Sequence, residues 1–157
     1  MGLGFEFECK KCGKKYDAYI GSGMLYPRVC RKLMKQVQAG KYGEELQKLS
    51  NTVPYGSIDA ENVVYFCREC GKWEVQPILN FCEPSDPVYL QHIMETSKKA
   101  PCPYGLELKE FYRVIKVDYR YCSRCGSKMR RLKKMECREL PCPKCGEINS
   151  GEMVMWD

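Results

Sequence analysis

Residues 4–8, GFEFE, alternate apolar and acidic side chains as a half-buried strand does, and KKYDAYI carries the chain out of the turn that follows. This predicts a hairpin with Cys9 and Cys12 at its tip. Gly21-Ser22-Gly23 breaks the pattern. Residues 28–39 then show helical spacing, with Pro27 in the first turn, Gly40 as the stop, and Val29, Leu33 and Val37 sharing a face with Cys30 and Met34. A shorter helix is expected over 43–49, with Leu46 and Leu49 inward and its end at Ser50-Asn51. NVVYF at 62–66 reads as a strand running into Cys67, and 72–79 leads away with Trp73, Val75 and Pro77 on alternate positions. Prolines 84, 87, 101 and 103 punctuate residues 80–108, where Asp86-Pro87 is placed to cap a helix over 88–97. The longest strand signal, 111–121, has Phe111, Ile115, Val117, Tyr119 and Tyr121 on odd positions and delivers Cys122. Residues 127–134 are basic without a clear period. Met153, Val154, Met155 and Trp156 form a final short strand.

Both halves thus read as strand, cysteine turn, insertion, cysteine turn, strand, a duplication of architecture without a residue-level repeat. The expected division is 1–82 with a helical insertion at about 25–50, a linker with a short helix at 83–108, and 109–157. The expected fold class is a small α+β protein. Halves of a 157-residue chain build thin cores and need a staple.

Twelve cysteines supply one, and eight fall in C-x-x-C-G turns: CKKCG at Cys9, CRECG at Cys67, CSRCG at Cys122 and CPKCG at Cys142. Disulfide frameworks scatter their cysteines and follow an export signal. Here charges begin by residue 6, no apolar run approaches the eighteen or so residues of a membrane span, and Glu6 breaks the myristoylation pattern after Gly2. A cytoplasmic protein with reduced thiols and no membrane partner is expected. A C-x-x-C-G turn sets two sulfurs on one side of a tight loop, spaced for a tetrahedral ion. Sixteen residues separate the pair Cys122, Cys125 from Cys142, Cys145, a zinc-site spacing, and these four form one expected site. Cys9, Cys12, Cys67 and Cys70 form the other. The fifty-four residues between its pairs cost only about 1 kcal/mol more to close, against roughly 10–16 kcal/mol returned by a structural zinc. Crossed pairings, such as the first turn with the third, are the alternative.

At these residues the chain resembles zinc-ribbon proteins, and is similar to bacterial proteins carrying two such ribbons. The resemblance implies two Zn²⁺ ions per chain, two β-hairpin ribbon modules, and the nucleic-acid and nucleoprotein settings in which zinc ribbons commonly serve. CKKCGKKYDAY also resembles the first iron knuckle of rubredoxins and CPKCG the second, which implies Fe and electron transfer at Cys9, Cys12, Cys142 and Cys145. Sequential pairing puts those two pieces in different sites.

Thiol redox catalysis needs a C-x-x-C at a helix start, and a catalytic zinc keeps a position open for water. Hairpin tips and four cysteines per site point instead to structural ligation. Cys30, Cys82, Cys102 and Cys137 stand outside the pairs and are expected to pack as small hydrophobes. A third site from Cys82, Cys102 and the lone His92 can be drawn, but nothing fixes its geometry, and His92 is expected on the surface. No triad base and no phosphate-cradling glycine loop is present, so no enzymatic activity and no small-molecule substrate is expected.

The net charge of +6 falls to about +2 when each of two Zn²⁺ ions meets four thiolates. Distribution says more: residues 109–138 hold eleven Lys and Arg against three acids. Arg113, Lys116, Arg120, Arg124, Lys128, Arg130, Arg131, Lys133 and Lys134 interleave with Tyr112, Tyr119 and Tyr121, a mixture suited to phosphate contact and base stacking. The bland alternative is a solvated strand face with Tyr119 and Tyr121 in the core beside Ile115 and Val117. Two functions follow: a nucleic-acid-binding or nucleoprotein-associated module working through this face, or a protein-interaction adaptor or self-associating scaffold.

Overall fold

The computed structural model of the chain describes residues 2–97 and 110–156. In chain order it contains β1 (Gly2–Glu8), β2 (Lys15–Ile20), α1 (Tyr26–Gln38), α2 (Glu44–Thr52), β3 (Ser57–Ile58), β4 (Asn62–Phe66), β5 (Trp73–Pro77) and β6 (Phe81–Pro84). There follow α3 (Pro87–Ser97), β7 (Tyr112–Lys116), β8 (Arg130–Arg131), the 3-10 turn η1 (Lys134–Arg138), β9 (Glu139–Pro141), β10 (Ile148–Ser150) and β11 (Glu152–Trp156). This is a small α+β fold with small antiparallel sheets. The chain forms two compact units, each assembled from separated segments.

One unit comprises Met1–Gly23, Asn62–Pro77 and Tyr119–Asp157, and holds all eight paired cysteines. Its first sheet has the order β11-β1-β2, so strands from opposite ends of the sequence lie side by side. A second sheet, β5-β4-β8, and the hairpin β9-β10 complete it. Phe5, Phe7, Ala18, Ile20, Val64, Cys137 and Leu140 form its core, and Tyr16 stacks on Phe7 with ring centroids 4.7 Å apart. On the opposite face of β1, the Trp156 and Tyr19 rings cover Gly2 and Gly4 and meet edge to face, 75° apart. A Cβ on Gly2 would sit 2.3 Å from the Trp156 ring, so glycine is required there by close approach. Reciprocal bonds between Gly21 and Asn62 mark where the chain leaves this unit and returns.

The other unit, Met24–Glu61 and Ile78–Asp118, carries the helices and the sheet β3-β6-β7. Tyr26, Cys30, Leu33 and Val37 of α1 pack with Leu46, Ile58, Leu79 and Phe81. The backbone N–H of Ala60 donates to the Tyr26 hydroxyl at 3.1 Å, and burial raises that hydroxyl's pKa far above its ordinary value. Asp86 Oδ1 accepts the Tyr89 N–H at 3.0 Å and caps α3, as the Asp-Pro pair implied.

The expected sequential division is replaced by a nested one. Residues 24–61 and 78–118, split between both expected modules, form one unit, and the three segments that carry the paired cysteines form the other. The reason is strand pairing: β1 takes β11 and β4 takes β8 as antiparallel neighbours. The long strand expected over 111–121 ends at Lys116. Its inward residue is Tyr112 at 7% exposure, whereas Ile115, Val117, Tyr119 and Tyr121 are all exposed.

Candidate metal centre

The four cysteine turns are built alike. In each, the first cysteine's N–H bonds the carbonyl five residues on, and the glycine's N–H bonds the first cysteine's carbonyl; for Cys9 these distances are 2.9 and 2.8 Å. Gly13, Gly71, Gly126 and Gly146 take φ between 68° and 77°, the left-handed region. No atom lies within 4 Å of a Cβ added there, so the need for glycine is conformational, not steric. That bend turns backbone N–H groups toward sulfur: Arg124 N–H points at Cys122 Sγ at 3.4 Å.

The turns meet in a different combination from the expected one. Cys9, Cys12, Cys142 and Cys145 form one quartet, and Cys67, Cys70, Cys122 and Cys125 the other, so first joins fourth and second joins third. Neither the sequential quartets nor the first-with-third alternative is formed. Loop length could not decide this, because closure entropy grows only logarithmically; register between distant strands did. Sulfur pairs stand 3.5 Å (Cys9–Cys145), 3.7 Å (Cys12–Cys142), 3.4 Å (Cys67–Cys125) and 3.5 Å (Cys70–Cys122) apart. Four sulfurs about 2.3 Å from one ion at tetrahedral angles stand about 3.8 Å apart. All ligand atoms of a quartet lie within 4.8 Å of one another, so each group is of a size to hold a metal ion. The first cysteine of every turn is buried, while the second is half-buried or exposed.

Thiol electrostatics agree with a cation-binding role. At Cys9, burial raises the pKa, but the N–H groups of Cys12 and Lys11 and the neighbouring thiols outweigh it and bring it to about 6. Cys125 is held at about 6 by the hydroxyl and N–H of Ser127 and by contact with Cys67. Its partner Cys70 receives the Lys72 N–H, yet burial and the three neighbouring thiols push it up to about 11. Cys145 likewise takes the Glu147 N–H and is nevertheless raised to about 12 by burial and its three neighbours. Like charges so close cannot all develop unopposed. A dication removes that opposition.

Side chains that ligate nothing hold the first quartet together, and of these Asn149 carried no sequence signal. Asn149, 5% exposed, accepts the Lys10 N–H at 3.1 Å and donates to Glu147 O and to the Tyr16 hydroxyl. Tyr16 in turn donates to Leu140 O at 3.0 Å, and Trp73 Nε1 to Pro141 O at 2.7 Å. Across the second quartet, Lys72 Nζ reaches the Ser123 hydroxyl and Arg124 the Cys70 carbonyl.

Among the described residues, the cysteines outside the turns pack. Cys30 lies against Ser57 and Ile58, and burial pushes Cys82 up to about 12 and Cys137 up to about 11, leaving both neutral. His92 is exposed on α3. Cys102 lies outside the described residues, and among those described no metal-sized group includes Cys82 or His92.

The nine basic candidates do not share a unit. Arg113 pairs with Glu83 and Lys116 with Glu45, each at 2.6 Å, in the helical unit, where Tyr112 is buried. Arg130 pairs with Glu136 at 2.8 Å in the cysteine unit. Arg120 and Arg131 lie against the Tyr65 ring. Arg124, Lys128 and Lys134, also in the cysteine unit, form no ion pair among the described residues, and Lys133, unpaired at its ammonium, lies near the Glu136 carboxylate, which accepts its N–H at 2.6 Å and is held down partly by its charge. Tyr119 and Tyr121, allowed as core by their odd positions, are 55% and 63% exposed, with Lys128 Nζ 3.5 Å above the Tyr119 ring.

No helix among the described residues is long and apolar enough to cross a membrane. No protein-family model, no curated protein and no solved structure matches the chain.

Proposed function

We propose that the chain is a non-catalytic zinc protein, with two structural Zn²⁺ ions in ribbon-like sites, that binds nucleic acid through the surface beside the second quartet. The zinc reading is supported by the two convergent sets of four thiols, which would fill a tetrahedral shell around an ion and leave no position for water or substrate. Arg124, Lys128, Lys133 and Lys134 supply phosphate contacts, and the exposed rings of Tyr119 and Tyr121 supply stacking faces. Arg113, Lys116 and Arg130 drop out, because their charge is already neutralised by carboxylates. The test is titration of single-stranded and duplex oligonucleotides at several salt concentrations. Binding should weaken steeply with salt, and the combined Lys128→Glu, Lys133→Glu and Lys134→Glu variant should lower the log–log salt slope by about 2 to 3. Absence of binding at low salt would overturn the nucleic-acid reading and favour a protein partner.

A second reading applies to the first quartet. The two rubredoxin-like pieces, CKKCGKKYDAY and CPKCG, face each other across one site, on a sheet that joins strands from both ends of the sequence. Iron held there by Cys9, Cys12, Cys142 and Cys145 would supply one-electron exchange. Elemental analysis and visible absorption of protein purified from its source distinguish the two, since an iron site is coloured and a zinc site colourless.

A further inference from the structure

We propose that β11 is the seat of a two-fold interface between two copies of this chain, formed by antiparallel pairing of β11 with the same strand of a second copy. In the order β11-β1-β2 this strand is an edge, and among the described residues no strand or backbone group bonds its outer side. An unpaired edge offers a row of N–H and C=O groups to another strand unless lysine, proline or a bulge blocks it. The sequence EMVMW contains no lysine and no proline, and its register with β1 is continuous over five pairs.

The side chains point the same way. Paired residues of an antiparallel ladder share a face, and Met153 and Met155 stand opposite Phe5 and Leu3. They therefore lie on the face whose centre, around Phe5, is the buried core of the unit, yet they are 66% and 64% exposed. The core thus runs out to the edge strand and stops uncovered. The other face is already closed by Trp156 and Tyr19 over Gly2 and Gly4.

A second copy fits this edge better than an unrelated strand because β11 is self-complementary. Two-fold pairing centred on Val154 sets Met153 opposite the partner's Met155, and Met155 opposite the partner's Met153, continuing the apolar face across the axis. Glu152, the strand's single charge, then stands opposite the partner's Trp156 and not the partner's Glu152, so no like charges meet. The result is a six-stranded sheet through a closed, isologous contact. An interface of two five-residue strands is small, which places the dimer in the weak class.

Sedimentation equilibrium of the metal-loaded full chain from about 1 μM to about 1 mM tests it, a range that spans weak association. The expected result is reversible doubling of the mass toward the upper end. The Met153→Glu/Met155→Glu variant should stay monomeric throughout while retaining its metal content. Hydrogen exchange on the unmutated chain adds a readout independent of that variant: outward β11 amides should exchange more slowly as concentration rises, with those of β2 unchanged. A chain monomeric at every concentration, a doubled mass that persists in the variant, or doubling without added β11 protection would each overturn the proposal.

Discussion

Asn149 shows how much of a metal site can hang on a residue that ligates nothing. Its amide joins the first cysteine turn to the fourth, and through Tyr16 to the strand leading into Cys142. Asn149→Ala removes three hydrogen bonds of a buried side chain, to the Lys10 N–H, the Glu147 carbonyl and the Tyr16 hydroxyl, and should destabilise the cysteine unit by about 1–3 kcal/mol. The metal of the first quartet should become easier to chelate while that of the second is unchanged, readable by chelator competition. Nothing in the pattern INSG around Asn149 distinguishes it from any turn asparagine, whereas the cysteines and glycines beside it were legible from spacing alone. The thiols also set a pH dependence. Metal binding requires thiolates, so a thiol still protonated must release its proton and affinity rises with pH. Cys145 and Cys70, raised to about 12 and about 11, impose this requirement throughout the neutral range. Cys9 and Cys125, at about 6, impose it only once pH falls toward 6. Metal affinity measured by competition should therefore rise gently from pH 7 to 8 and fall more steeply below pH 6. An affinity indifferent to pH would contradict this ordering of the thiols.

Among elements, those with a strong period and local stop signals were legible: α1 between Pro27 and Gly40, α2, the cap of α3, and the strands flanking Cys9 and Cys67. The failures share a cause. β3, β6, β8, β9 and β10 are two to four residues long, too short to show a period, and exist because a partner strand supplies their bonds. The run 111–121 looked like one strand because apolar residues fell on odd positions, but Tyr112 took the inward place against Cys82 and Leu90, and the chain left the sheet after Lys116. Phe81 is the element-scale anchor of the helical unit, fully buried on β6 between α1 and β3 residues. Phe81→Ala should cost about 3–5 kcal/mol. Because the two units have separate cores, its thermal melt should split, with loss of helical circular dichroism at lower temperature while both metals stay bound. Simultaneous loss of helix signal and metal would show that the units unfold as one.

For the whole molecule, the nested arrangement is the feature that no local signal contained. Each cysteine turn could be read from five residues, but which turns share an ion depends on β1 pairing with β11 and β4 with β8, contacts spanning much of the chain. The rubredoxin-like character of the first and fourth turns was the one sequence observation consistent with that outcome, and sequential pairing set it aside. Nesting brings the eight paired cysteines into one unit with a modest core, so ions held by the two quartets would tie together strands from distant parts of the sequence. The most direct measurement is the metal content of two double-serine variants after dialysis against a mild chelator. Cys12→Ser with Cys142→Ser damages one quartet in the nested arrangement, so one metal per chain should remain. Cys12→Ser with Cys70→Ser damages both, so none should. The opposite pattern, no metal in the first variant and one in the second, would contradict the nested account and restore sequential pairing.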